Sequence, residues 1–191
     1  MSEALIHVPS LFAAPAGAAL TLEIGRVHVP EVLGSLGRLI LTDCSVYCVD
    51  AGNCFSPYAF SIQAKRHGVL PRDVLDRVWV TRTFTIHQLA AVTSTMLAPL
   101  AAHTPMPILA VLGLDHLFLE ESLRLAERKQ VLADVLADLE HAQSLGLRLL
   151  ITYDPPEGNA WWQPIIRQAG KVRGQGRVGK DGKLNIHMEA E

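Results

Sequence analysis

The residues of this chain best suited to chemistry gather at the ends of strand-like segments. Asp50 closes the apolar run SVYCVD, Asp115 and His116 follow ILAVLGL, and His87 and His103 border the segment between them. In an open α/β sheet the carboxyl ends of the strands are where ligands bind. Asp50, Asp115 and His116 could assemble a hydrolytic site there, with carboxylate and imidazole sharing acid–base work. The plainer reading makes them helix caps and surface polar groups, because Asp is a favoured cap. No serine elbow and no HExxH pair accompany them.

Three cysteines, Cys44, Cys48 and Cys54, are spaced C-x3-C-x5-C. A metal site would need a fourth ligand and loops that bring the thiolates together, so structural cysteine is the expectation and no metal is assigned. Only Cys54, in the loop after the strand, is placed for a redox role, which would require an exposed thiol of low pKa. An odd cysteine count in a chain of 191 residues argues against a disulfide framework and for a reducing, cytoplasmic setting.

The tail is basic. Arg167, Lys171, Arg173, Arg177, Lys180 and Lys183 stand against one acid, Asp181, between positions 167 and 183. Interleaved glycines would let such a strand approach a phosphate backbone, and Trp161 and Trp162 upstream could stack on bases. A solvated edge hairpin guarded by its charges fits the same residues. Gly174 to Lys180 matches G-x-x-x-x-G-K but continues into Asp181, follows no buried strand and leads into a hairpin signal, Gly179 to Gly182. Without a helix behind it the backbone cradle for a phosphate is missing.

The elements that must position these residues are readable. Leu20–Val29 reads as a strand interrupted at Gly25, and Glu31–Leu41 as a short helix weakened by Gly34 and Gly37. Ser45–Asp50, Arg77–Arg82, Ile108–Leu114 and Leu147–Tyr153 read as buried strands. Between them lie a helix from Ser56-Pro57 to His67, a short turn from Pro71 to Asp76, and a helix from Thr85 to Leu100. Glu121–Leu145 is the strongest helix, with Leu125, Leu132, Leu136 and Leu139 on one face. Strands alternating with helices imply a mainly parallel sheet covered on both faces, and Lys171–Val178 with Lys183–Met188 a closing β-hairpin. One domain is expected over 1–191, with an irregular arm (1–19), an α/β core (20–154) and a basic hairpin (155–191).

Hydrophobic residues make up 49% and charged residues 19%, apolar for a soluble domain, so part of the surface should meet a partner or a second copy. The net charge of −2 gives no global signature of nucleic-acid binding. Prolines 99, 105 and 107 interrupt the charge-free stretch between Arg82 and Asp115, which argues against a membrane span.

Taken in order, several segments resemble the ATPase core of the RecA/RadA recombinase family over about Ser45 to Asp154. SVYCVDAGNCFSPYAF is similar to that family's strand ending in aspartate and the helix after it, RTFTIHQL to its Arg-x-Phe and His-Gln segment, and ILAVLGLDHLF to its Walker B strand. LAERKQVLADVLADLEHAQSLGLRLLIT resembles the next helix and the strand that ends in a polar sensor. The resemblance implies a RecA-like three-layer fold. Carried over by position, it also removes the chemistry. Gly52 stands where the catalytic glutamate belongs, Leu112 where the Walker B aspartate belongs, and Asp154 where the sensor glutamine belongs. Between Gly25 and Cys44 there is scarcely room for a phosphate loop and a full helix. The expectation is a degenerate recombinase paralogue without ATPase activity, catalytic residues or cofactor. It would be an accessory protein of DNA recombination or repair that docks on a protein partner or itself, with single-stranded DNA a candidate ligand. A purely structural or regulatory module, and an enzyme of unrelated chemistry using Asp50, Asp115 or His116, are the alternatives.

Overall fold

A computed structural model describes residues 19–103, 107–120, 122–154, 161, 172–178 and 184–189; for Ala98, 101–103, 107 and the last two segments this covers the backbone alone. The irregular arm expected for 1–19 lies outside these residues except for Ala19.

Seven strands form one sheet in the order β3-β2-β4-β5-β1-β6-β7 among the described residues. They are β1 (Ala19–Glu23), β2 (Ser45–Asp50), β3 (Val78–Arg82), β4 (Pro107–Leu112), β5 (Arg148–Tyr153), β6 (Val172–Val178) and β7 (Leu184–Glu189). Every neighbouring pair from β3 to β6 is parallel. β6 and β7 pair antiparallel, with Arg173 opposite Glu189 and Arg177 opposite Asn185. The turn expected at Gly179–Gly182 lies outside the described residues.

The helices are α1 (Val29–Ile40), α2 (Pro57–Arg66), α3 (Pro71–Leu75), α4 (Ile86–His103) and α5 (Leu125–Ser144). The strands sort their side chains between two layers because successive residues point to opposite faces. On β4, Ile108, Ala110 and Leu112 join Val32, Leu36 and Phe60 from α1 and α2. Leu109 and Val111 join Leu89, Leu132 and Leu139 from α4 and α5. The result is an α/β sheet covered by helices on both faces, as the alternation of segments implies.

Several local expectations change, and the strand expected over Leu20–Val29 ends at Glu23. The helix at the amino end is a buried 12-residue element, and its glycines are the reason it packs rather than a defect. A Cβ at Gly37 would lie 3.3 Å from the Phe60 ring, and one at Gly34 would lie 3.3 Å from Gln63 Nε2. The two glycines thus let α2 settle directly on α1. At the other end, α5 starts at Leu125 rather than Glu121, and Leu125 is exposed instead of joining the leucine face. Ser56 precedes α2 as foreseen, but its hydroxyl makes no capping bond, and Pro57 sets the first turn. No helix among the described residues is long and apolar enough to cross a membrane.

Replacing Gly37 with valine should cost roughly 2–3 kcal/mol, because the α1–α2 contact has no room for a branched side chain. Urea denaturation of the variant against the parent measures it, and an unchanged midpoint would show that the helices do not meet this closely.

Candidate functional site

Parallel strands bring their carboxyl ends to one edge, and there the sequence-derived candidates meet. Asp50, the last residue of β2, is completely buried. Its carboxylate is fully engaged. Oδ1 accepts the Cys54 N–H at 2.9 Å, and Oδ2 accepts the Phe55 N–H at 3.3 Å and Arg82 Nε at 3.0 Å. Asp50 therefore ties the loop after β2 to the end of β3. Both carboxylate oxygens face backbone N–H groups and the Arg82 guanidinium, which gives Asp50 a structural part in holding this edge.

The next residues explain the glycine at position 52. The N–H groups of Ala51 and Gly52 both donate to the Leu112 carbonyl, at 3.0 and 2.8 Å, so the chain leaving β2 crosses onto the end of β4. A Cβ on Gly52 would fall 3.0 Å from Gly113 Cα, and one on Gly113 would fall 2.8 Å from Gly52 Cα. Gly113 also has φ of 63°, a left-handed conformation that glycine adopts without strain. A glutamate at 52 has no place in this crossing. Leu112, which the resemblance matches to an acid, is buried in the apolar cluster under α1 and α2. The Gly113 N–H is held by Thr152 Oγ1 of β5 at 2.9 Å.

Asp115 sits in the 3-10 segment Leu114–Leu119 that follows β4, almost wholly buried. Its Oδ1 accepts the Asp154 N–H at 3.0 Å, joining this segment to the exit of β5. Burial pushes its carboxyl up to about 6; the Asp154 N–H and the Arg26 guanidinium pull the other way, while the Asp154 charge adds to the rise. His116 is held below its ordinary value by burial and then by Arg26.

Arg26 carried no signal in the sequence, yet it closes this edge. β1 ends at Glu23, and a turn through Ile24 and Gly25 passes into a 3-10 turn, Arg26–His28, that runs straight into α1. A full helix does fit after β1, and what gives way is the loop. From that short turn Arg26 donates Nη2–H to the Gly52 carbonyl, and its Nη1 lies 3.5 Å from His116 Nδ1. The same guanidinium is felt by Cys54 and Asp115. Arg26, Gly52, Cys54, Asp115 and His116 thus form one polar cluster across the ends of β1, β2 and β4. Asp50 lies beneath it, bonded to the loop that Cys54 belongs to.

The remaining candidates separate. Cys44 and Cys48 are buried free thiols. Cys54 is pushed up to about 12 by burial and by the Asp50 carboxylate, the opposite direction from the low-pKa thiol that a redox role requires. No group of three His, Cys, Asp or Glu residues able to hold a metal occurs among the described residues. His87 pairs with Glu127 at 3.1 Å on the surface between α4 and α5, and His103 ends α4. Trp161 is packed against the core on the α4–α5 side with the Arg128 guanidinium 5.8 Å from its ring centre, so that ring is occupied rather than presented to a base. Trp162, Arg167, Lys171, Lys180 and Lys183 lie outside the described residues. Arg173 and Arg177 are on β6 beside β1, where Arg173 is in register with Thr21.

No protein-family model matches the chain, and no curated protein matches it.

Two outcomes follow from this geometry. Gly113→Ala should lose roughly 2–4 kcal/mol, since the new methyl meets Gly52 and the backbone is left-handed; thermal and urea unfolding measure it. Asp115 is protonated more readily in the folded state than in the unfolded chain, so stability should fall as pH rises from 3.8 toward about 6. Asp115→Asn keeps an oxygen for the Asp154 N–H and removes the buried charge. It should be more stable than the parent at neutral pH by about 3 kcal/mol and equal to it well below pH 4. A difference that does not vary with pH would mean that the carboxyl is not the titrating group.

Proposed function

We propose that this chain is a non-catalytic, RecA-like accessory protein of DNA recombination or repair, which acts by binding protein and single-stranded DNA. The observation that carries the non-catalytic half is the filled edge of the sheet. A triphosphate needs a cradle of backbone N–H groups before a helix, a carboxylate to orient water and an acid to hold magnesium. At the matching places stand a turn of a few residues plugged by Arg26, a glycine pressed onto Gly113, and a leucine sealed in the core. The order of elements supports the family half of the reading. β1 with its turn and helix precedes β2, β4 and β5 in the chain, and these strands pair in parallel so that their carboxyl ends share one edge.

Protein binding is supported by the apolar surface. β3 is an outer strand of the sheet, and Trp79, Val80 and Phe84 on or beside it are between two fifths and two thirds exposed. Trp79 is steadied by stacking on Tyr47, at 4.7 Å between ring centres. Large apolar side chains along an outer strand mark a contact surface. DNA binding is supported by the cations Arg167, Lys171, Arg173, Arg177, Lys180 and Lys183, of which Arg173 and Arg177 lie on β6.

A labelled single-stranded oligonucleotide tests this reading. Binding should weaken with salt, and replacing Lys171, Arg173 and Arg177 with alanine should reduce the slope of log affinity against log salt by about 2. An oligonucleotide that fails to bind at low salt removes the DNA half. ATP with magnesium should leave the melting temperature unchanged, because only a ligand of the native state raises it. A concentration-dependent rise would overturn the non-catalytic half.

A further inference from the structure

β3 bounds the sheet on one side, and its hydrogen bonds reveal which of its residues face outward. The Val46 N–H donates to the Arg77 carbonyl at 3.0 Å, and the Thr83 N–H to the Asp50 carbonyl at 3.2 Å. In a parallel pair, alternate residues of a strand turn their backbone groups to the same neighbour. Arg77, Trp79, Thr81 and Thr83 are therefore committed to β2, while Val78, Val80 and Arg82 turn N–H and C=O away from the sheet. No strand lies beyond them, and no hydrogen bond joins those groups to another element among the described residues. The side chains leave the edge open as well. Trp79 and Val80 lie on opposite faces of the sheet and are 45% and 41% exposed. Outer strands commonly guard themselves with charges, proline or a bulge. β3 reads VWVTR, and its one cation is drawn inward: Arg82 pairs with Asp50 at 3.0 Å. The neighbouring Arg77 pairs with Asp43 at 2.7 Å.

We propose that β3 pairs antiparallel with β3 of a second copy of this chain, about a two-fold axis at Val80, so that the two sheets run on as one. The edge selects this occupant because it is self-complementary. With Val80 against the partner's Val80, Val78 falls opposite the partner's Arg82, and each outward N–H meets an outward C=O. In the same register Trp79 lies opposite the partner's Thr81, and Arg77 opposite the partner's Thr83. No two like charges are opposed, and each arginine keeps its own aspartate. The exposed valine is covered by its counterpart. Trp79, stacked on Tyr47 to one side, gains a neighbour on the other. A strand of five residues is about 17 Å long, so the contact is short and the dimer weak. The pairing names a partner for the protein-binding half of the proposed function and rests on that reading.

Sedimentation equilibrium of the full chain over a range of concentrations should show a reversible monomer–dimer equilibrium. Val80→Pro deletes an outward N–H and leaves the bonds to β2 in place, since proline is tolerated where an edge N–H faces solvent. It should weaken dimerisation by about tenfold, because each copy loses a bond at the axis. Val80→Lys sets two ammonium groups against each other across the axis and should weaken it similarly; it decides the matter if proline shifts the urea midpoint. Hydrogen exchange of the parent chain gives a second readout. The amides of Val78, Val80 and Arg82 should slow as concentration rises, whereas those of Trp79 and Thr81, already bonded to β2, should not. A dimer indifferent to both variants places the interface elsewhere, and a chain that stays monomeric leaves β3 to a strand of another protein. Either result overturns the proposal, as does exchange at the outward amides that ignores concentration. Neither substitution touches Lys171, Arg173 or Arg177, so oligonucleotide binding should persist in both variants, and failure of the DNA reading and failure of this one are distinguishable.

Discussion

Two main chains touch where β2 and β4 end, and no side chain comes between them. The Leu112 carbonyl takes both N–H groups of Ala51 and Gly52, and Gly52 lies against Gly113. Much of the surrounding edge is arranged about this crossing. Asp50 can stay wholly buried because the loop that begins there folds back, giving it the N–H groups of Cys54 and Phe55 while Arg82 balances its charge. A buried carboxylate without such partners would cost several kcal/mol. Gly113 in turn is held from the far side by Thr152, so β2, β4 and β5 are tied at one level. The crossing also places the Gly52 carbonyl where Arg26 reaches it.

The consequence for function is a matter of space. A strand edge that binds ligands keeps its loops apart and its backbone donors open. Here the donors are spent on neighbouring strands, and a guanidinium from the β1–α1 turn spans the gap. The polar cluster that results is coupled electrostatically, with Asp115 raised by burial and His116 lowered by it. Such shifts often mark catalytic sites, but structural networks produce them equally. The hydrogen bonds of Asp50 and Asp115 run to the N–H groups of neighbouring loops, with the Arg82 guanidinium beside Asp50. The exposed apolar residues on β3 and α2 are of another kind, since they turn large apolar area toward solvent.

The alternation of apolar runs and helical stretches, the ends of β2 and β5, and the two-sided burial of the sheet were all legible in the residue order. Each depends on local periodicity and on glycine and proline at element ends, which act within a few residues. The early helix was undervalued for the same reason. Gly34 and Gly37 lower intrinsic helix propensity, yet the packing of Phe60 and Gln63 on them more than offsets that cost, and those partners lie more than twenty residues away. Leu125 was misplaced because a leucine ladder does not reveal where a helix begins.

The amino-acid sequence alone determined the residue types at these strand ends, a glycine at 52 and a leucine at 112. Only the tertiary structure decided why those positions are what they are and what fills the space. The Gly52–Gly113 contact, the Asp115–Asp154 bond and the reach of Arg26 to Gly52 join residues 26 to 61 positions apart. No periodicity links such residues. The parallel sheet brings them together, since every crossover returns the chain to the same edge and delivers distant loops side by side.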